Sequence, residues 1–254
     1  MGLRCDVADG VGTITIDRPD KRNAMTARMW AALPRLLDDL AADPGVRVLV
    51  LTGAGGNFCA GADISELGGQ GWRHNTGLST EAEVALAAFP KPSLAAIEGF
   101  CVGGGCQLAA ACDLRFAAGD ARLGITPAKL GIVYPAAATA RLVRLVGPSA
   151  GKYLLYSADL IDAAHALRIG LLDEVVPAGG LRARVAEFAG TLASRSLLTQ
   201  RAAKDVVDAV AAGEPFETKV RRWQDEAVHG PDAAEGVAAF LERRTPRFTW
   251  TGPA

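Results

Sequence analysis

The sequence predicts an α/β protein whose last third is helical, and three patterns carry that prediction. Strand-length runs of β-branched residues and leucine at residues 11–17, 47–52, 93–97, 114–117 and 172–176 alternate with segments of helical apolar spacing. From Leu181 onward the helical spacing continues with no further strand-like run. Glycine clusters close two of the buried runs, at residues 53–56 and 103–105, where an α/β sheet turns toward its next helix.

In order along the chain, residues 11–17 alternate apolar and polar side chains, as a half-buried strand does. Residues 26–42 are helical in period and stop before Asp43-Pro44-Gly45. Residues 47–52 carry the uninterrupted Val/Leu run Val48-Leu49-Val50-Leu51, the pattern of a strand buried on both faces. A helix over 79–89 ends at Pro90-Lys91-Pro92, since the residue before proline avoids helical geometry. A buried strand at 93–97 leads through Gly99 to a short helix over 104–111, and a strand at 114–117 follows. Helices at 137–146, 149–157 and 162–170 are separated by Gly147-Pro148 and Asp159-Leu160. After the strand at 172–176 come helices at 181–194, 197–211, 216–228 and 232–243. The division expected is a core over residues 1–194 and a helical C-terminal region over 195–254.

At 254 residues, 50% hydrophobic and 22% charged, the chain can bury a full core without disulfides or metal. With 27 Lys+Arg against 28 Asp+Glu there is no basic field for a polynucleotide, so nucleic acid is not an expected partner. Residues 93–112 are the longest nearly uncharged stretch, but Glu98, Gln107 and four glycines fit a buried strand and helix, not a membrane span. The first residues have no apolar signal region. Five cysteines without a C-x-x-C pair fit reduced thiols, and a cytoplasmic protein is expected. His74, His165 and His229 stand in no metal-ligand spacing, so no metal is expected.

The loops at 53–63 and 99–107 each run from a buried strand to a short helix, which aims unpaired backbone N–H groups at an anion or a developing oxyanion. Neither carries a phosphate-loop or dinucleotide signature. Asn57-Phe58-Cys59-Ala60-Gly61-Ala62-Asp63-Ile64, then Lys91-Pro92, then residues 98–108 (EGFCVGGGCQL) resemble the crotonase superfamily, that is, the enoyl-CoA hydratase/isomerase family. The resemblance extends through Arg18-Pro19, Asn23-Ala24-Met25, residues 111–114 and 170–176, and Glu235-Gly236. It implies a crotonase-like ββα superhelix with a helical C-terminal trimerisation region, a homotrimer or homohexamer, and an acyl-CoA thioester substrate. Coenzyme A enters as part of that substrate, and no separate cofactor is implied. By the same resemblance, the N–H groups of Ala62 and Gly104 form the oxyanion hole, and Arg22, Ala24, Ala60, Asp63 and Ile64 line the coenzyme A groove.

The side chains depart from the hydratase pattern. Hydratases of this family carry two glutamates at the positions of Gln107 and Pro127, and no carboxylate occurs anywhere from Ala121 to Ala158. Gln107 can hydrogen-bond a water but cannot take its proton. Residues 126–134 resemble the Thr-Pro-x-x-Leu-Gly-x-x-Tyr segment of family decarboxylases acting on methylmalonyl-type thioesters, which makes Tyr134 a candidate, although those enzymes carry histidine where this chain has Ala62. Decarboxylation needs no general base, because loss of carbon dioxide itself delivers the enolate. A binding subunit without turnover is the non-enzymatic alternative. Among nearby groups, Asp63 suits a helix cap, Asp113 a structural junction, and Glu66 the pocket mouth. Cys106, at a helix start, is a candidate nucleophile of a thioesterase-like reaction.

Overall fold

The computed structural model describes residues 2–66, 68 and 71–252. Strand β1 (Gly2–Ala8) pairs antiparallel with β2 (Val11–Asp17), and β2 pairs parallel with β3 (Val48–Gly53). The parallel arrangement continues through β4 (Ser93–Ile97), β6 (Leu114–Ala118) and β9 (Glu174–Val176), giving a six-stranded sheet in the order β1-β2-β3-β4-β6-β9. A second, three-stranded sheet joins β5 (Phe100–Val102), β7 (Arg122–Gly124) and β8 (Ile161–Asp162).

Alternation along the parallel strands divides the core in two. Leu49 and Leu51 of β3 and Ala95 and Ile97 of β4 enter the main cluster with Trp30, Phe58 and Leu108. Val48, Val50, Leu94, Ala96 and Phe116 point the other way, onto Leu181, Val185 and Ala189 of α6 (Leu181–Ser194). Burial on both faces is why these strands are continuous apolar runs.

Helix α1 (Ala27–Ala42) starts where Thr26 Oγ1 accepts from the Met29 amide at 3.3 Å, and it buries Met29, Trp30, Leu33, Leu37 and Leu40 on one face. Its last carbonyls meet the buried Lys91 ammonium, which donates to Leu40 O at 3.1 Å and Asp43 O at 2.7 Å. Helices α2 (Gly71–Ala87) and α3 (Gly104–Ala111) complete that layer, and α4 (Ala136–Ser157) packs beside them, broken at Gly147 as expected. Asp162 caps α5 (Ala163–Arg168). The chain ends in α7 (Leu197–Ala212), α8 (Glu217–His229) and α9 (Pro231–Leu241), where Leu197, Leu198, Trp223 and Trp250 form a separate small cluster. No helix among the described residues is long and apolar enough to cross a membrane.

The structure corrects the sequence reading at short or polar elements. Strand β1 carries Arg4, Asp6 and an exposed Cys5 at the sheet edge, so it lacks an apolar signal, and β5, β7 and β8 are only two or three residues long. Helix α2 begins eight residues before Ser79, in a polar stretch that periodicity alone does not mark.

Candidate active site

The strip at residues 57–63 lies between two neighbours. On one side Phe58 N donates to Glu98 O, Cys59 N to Phe100 O, and Val102 N to Cys59 O; on the other, Ala60 N donates to Arg22 O and Asp63 N to Met25 O. Gly61 N reaches Cys59 Sγ at 3.4 Å. Every amide from Phe58 to Asp63 therefore has an acceptor among the described residues except that of Ala62. An unpaired backbone N–H at a cavity wall is a binding group, because leaving it dry and unpaired is costly.

The second free amide comes from the start of α3. Gly103 has φ 55°, a left-handed conformation that suits glycine, and it aims the first turn of α3 toward the strip. Gly105 permits the close approach, since a Cβ there would lie 2.2 Å from Cys59 O. The Gly104 amide, at the first helical position, has no acceptor among the described residues. A Cβ built on Gly61 would lie 3.3 Å from Gly104 N, and one built on Gly104 would lie 3.5 Å from Ala62 N, so the two free amides are neighbours.

Both amides border one cavity, together with Ala60, Ile64, Gln107, Pro127 and Tyr134. The structure thus brings all four expected catalytic residues to one place. Arg22, Ala24 and Asp63 are not among the cavity-lining residues; Arg22 O accepts from Ala60 N, Ala24 N donates to Lys21 O, and Asp63 ends the strip with its amide on Met25 O. Arg22 lays its guanidinium over the Phe100 ring at 4.6 Å, and the Ala24 carbonyl accepts from Arg18. Asp63 accepts from Ser65 and pairs with Arg18, and these bonds lower its carboxyl pKa to about 2.

Tyr134 donates from its hydroxyl to Gly103 O at 3.3 Å, bracing the turn that presents Gly104. Burial, together with the nearby Cys106 and Glu83, holds its phenol well above its ordinary pKa, so it stays protonated. Cys106 does not line the cavity; its thiol donates inward to Cys101 O at 2.9 Å, which removes the geometry a nucleophile needs. Glu66 also turns away: its carboxylate accepts the Ala27 amide at 2.7 Å and caps α1. Asp113 is structural, accepting from Ser93 N at 2.8 Å and pairing with Lys204 at 2.9 Å. His74, His165 and His229 lie outside the cavity lining.

The roles of two residues beneath the site escaped the sequence reading. Glu83, fully buried, accepts from Gln107 Nε2 at 3.0 Å and from Arg141 Nε at 3.1 Å. The available signal was a polar stripe on one helix face: Asn75, Ser79 and Glu83 follow at four-residue intervals and are all buried, beside Ala82 and Leu86. The other is Asn23, also fully buried, whose side chain bonds Arg18 N, Ala54 O and Asn57 O.

Comparison with known proteins agrees with this arrangement over nearly the whole chain. The profile of the enoyl-CoA hydratase/isomerase family matches residues 6–251. A crotonyl-CoA hydratase of Syntrophomonas wolfei is 36% identical over 249 residues, covering 94% of each chain. A 2,3-dehydroadipyl-CoA hydratase of Escherichia coli is 33% identical over 241 residues, covering 92% of this chain and 93% of its own. The crystal structure of an enoyl-CoA hydratase from Bacillus anthracis superposes with a TM-score of 0.92 at 33% identity, over 98% of this chain and 99% of that one. With its parallel-rich sheet, its helical C-terminal region and matches of this extent, the chain belongs to the enoyl-CoA hydratase/isomerase family and has the crotonase fold.

Proposed function

We propose that the protein is an acyl-CoA enzyme that stabilises a thioester enolate between the backbone amides of Ala62 and Gly104. The observation that carries this reading is the pair of neighbouring, unpartnered N–H groups on one cavity wall. Such donors act where charge develops: as the thioester carbonyl becomes an enolate, its oxygen gains charge and both bonds shorten and strengthen. One well-placed donor contributes about 3 kcal/mol to the transition state. The donors belong to backbone held on two sides by hydrogen bonds, so little reorganisation accompanies the reaction.

Among the described cavity-lining residues there is no Asp, Glu, His or Lys, and the only titratable group, Tyr134, is kept protonated. This favours, as a second reading, the decarboxylation of a malonyl-type thioester. There the bond between C2 and the carboxylate breaks, its electron pair enters the enolate, carbon dioxide leaves, and C2 then takes a proton that originates in solvent. No side-chain base is required.

The support for an assembly of three or six copies is an apolar surface at the C-terminal helices, where Val228, Val237, Phe240 and Leu241 are exposed in the single chain.

Mass spectrometry of saturated, enoyl and malonyl-type CoA thioesters incubated with the protein in deuterated water tests the reading. Deuterium at C2 or a mass change on one thioester is expected, and product mass separates hydration, isomerisation and decarboxylation. On the second reading, labelled carbon dioxide is released by the wild type and not by Gly104→Pro, which removes one donor at a helical position where proline is tolerated, and no release from the wild type would overturn that reading. A panel that binds but stays inert would replace the enzyme with a binding subunit.

A further inference from the structure

Strand β1 is the edge strand of the six-stranded sheet, and the turn that joins it to β2 fixes which of its groups face outward. Asp9 has φ 50° and Gly10 φ 81°, so the two-residue turn is of the I′ type, and Ala8 and Val11 form a hydrogen-bonded pair. By alternation Asp6 and Arg4 also bond β2, while the N–H and C=O groups of Leu3, Cys5 and Val7 point away from it. Those outward groups have no hydrogen-bond partner among the described residues. Residues 4–8 are exposed, with Val7 47% exposed although it shares the core-facing side of the strand with Leu3.

We propose that this edge is an interface with a second copy of the chain, in which the two β1 strands pair antiparallel about a twofold axis at Cys5. The sequence of the strand is self-complementary about that residue. With Cys5 opposite Cys5, Leu3 faces Val7 of the other copy, and each of these residues exchanges both of its outward hydrogen bonds with its opposite number. Arg4 then faces Asp6 of the other copy at a non-hydrogen-bonded position, where side chains come closest. Asp6 has no ion-pair partner within the chain among the described residues, whereas Arg4 reaches Asp17 at 2.9 Å and remains exposed. Charges on an edge strand normally prevent pairing, but here they are of opposite sign and symmetric, so they select one register. Moving the twofold axis by one residue sets Arg4 against Arg4 or Asp6 against Asp6. The contact uses none of the exposed residues of the C-terminal helices, so it is additional to any assembly through them.

Cross-linking reads this contact through one thiol, because Cys5 is the exposed cysteine and the other four are buried. A short bis-maleimide, each end of which adds one thiol across its double bond, should join wild-type chains into a covalent dimer, and Cys5→Ser should abolish it. Asp6→Lys and Arg4→Glu each set like charges opposite, and each alone should give about tenfold less dimer. Mixed together, the two variants face one another with opposite charges, and a mixed dimer should form at about the wild-type yield. In the wild type, amide exchange at Leu3, Cys5 and Val7 should also slow as protein concentration rises, which depends on no variant. Exchange that is independent of concentration, or a dimer yield that charge reversal leaves unchanged, would overturn the proposal. So would well-folded variants that do not recover the dimer on mixing.

Discussion

Asn23 Nδ2 donates to the Asn57 carbonyl at 2.6 Å and so ties the turn before α1 to the strip that presents Ala62. The same amide donates to Ala54 O at 2.8 Å, while Asn23 Oδ1 accepts from Arg18 N at 2.9 Å. Asn23 also sits at φ 61°, a left-handed conformation that asparagine tolerates better than alanine. Asn23→Ala should therefore cost about 2–4 kcal/mol, from unpaired buried groups and backbone strain together. Urea unfolding measures it, and a loss under about 1 kcal/mol would mean that the strip is held by its strand-like bonds alone.

How much of this was legible in the sequence depended on what each element does. Strands β3, β4 and β6 announced themselves because both of their faces are buried, and α3 because a glycine triplet opens it. The two glycine loops were readable as places that aim backbone amides, while Ala62 and Gly104 within them were singled out by the family resemblance. Glu83 was not, because a carboxylate in a polar helix looks solvated until Arg141, 58 residues away, is folded against it. Likewise Glu66 and Cys106 have the right chemistry, and only their partners, Ala27 N and Cys101 O, show that neither faces the cavity.

Gly104→Ala tests the oxyanion hole with little demand on the backbone. Its Cβ would meet the Trp30 ring at 3.0 and 3.2 Å and lie 3.5 Å from Ala62 N, in the space a thioester oxygen needs. Turnover on the preferred thioester should drop by about 100-fold or more. The far-ultraviolet circular dichroism spectrum should be unchanged, because alanine favours a helix start no less than glycine does. Full activity in this variant would show that the thioester oxygen does not use the space beside Gly104 that the new Cβ fills.

Asp63 gives the fold an acid-sensitive contact. Its bonds to Ser65 and Arg18 lower its pKa to about 2, below the unfolded value of about 3.9. A carboxyl depressed in the folded state contributes stability that is fully present above the unfolded value and is lost as pH falls through the folded one. The contribution should therefore be intact above about pH 4 and disappear toward about pH 2, steepening acid unfolding across that window. Asp63→Asn should be less stable than the wild type at neutral pH and should converge with it near pH 2. Parallel stability curves for the two proteins would show that the carboxylate is not engaged in the folded state.

Placing glutamates at positions 107 and 127, where the family resemblance implies them, does not by itself supply a base for hydration. Gln107→Glu with Pro127→Glu would supply two carboxylates, but it would also place one of them where Gln107 Nε2 now meets Glu83 Oε2 at 3.0 Å. Two buried carboxylates at that separation cannot both ionise at neutral pH; they share a proton, and one of them loses its use as a base. Arg141 can compensate only one charge. Crotonyl-CoA hydration should therefore stay near the wild-type level in the double variant and rise only when Glu83→Gln is added. The amide introduced at position 83 would keep its oxygen as an acceptor for Arg141 and turn its N–H donor to the new carboxylate at position 107. Steady-state hydration rates of the wild type, the double variant and the triple variant decide this. Equal gains in the last two would mean that the pocket tolerates the paired charge, and that Glu83 does not control the protonation of residue 107.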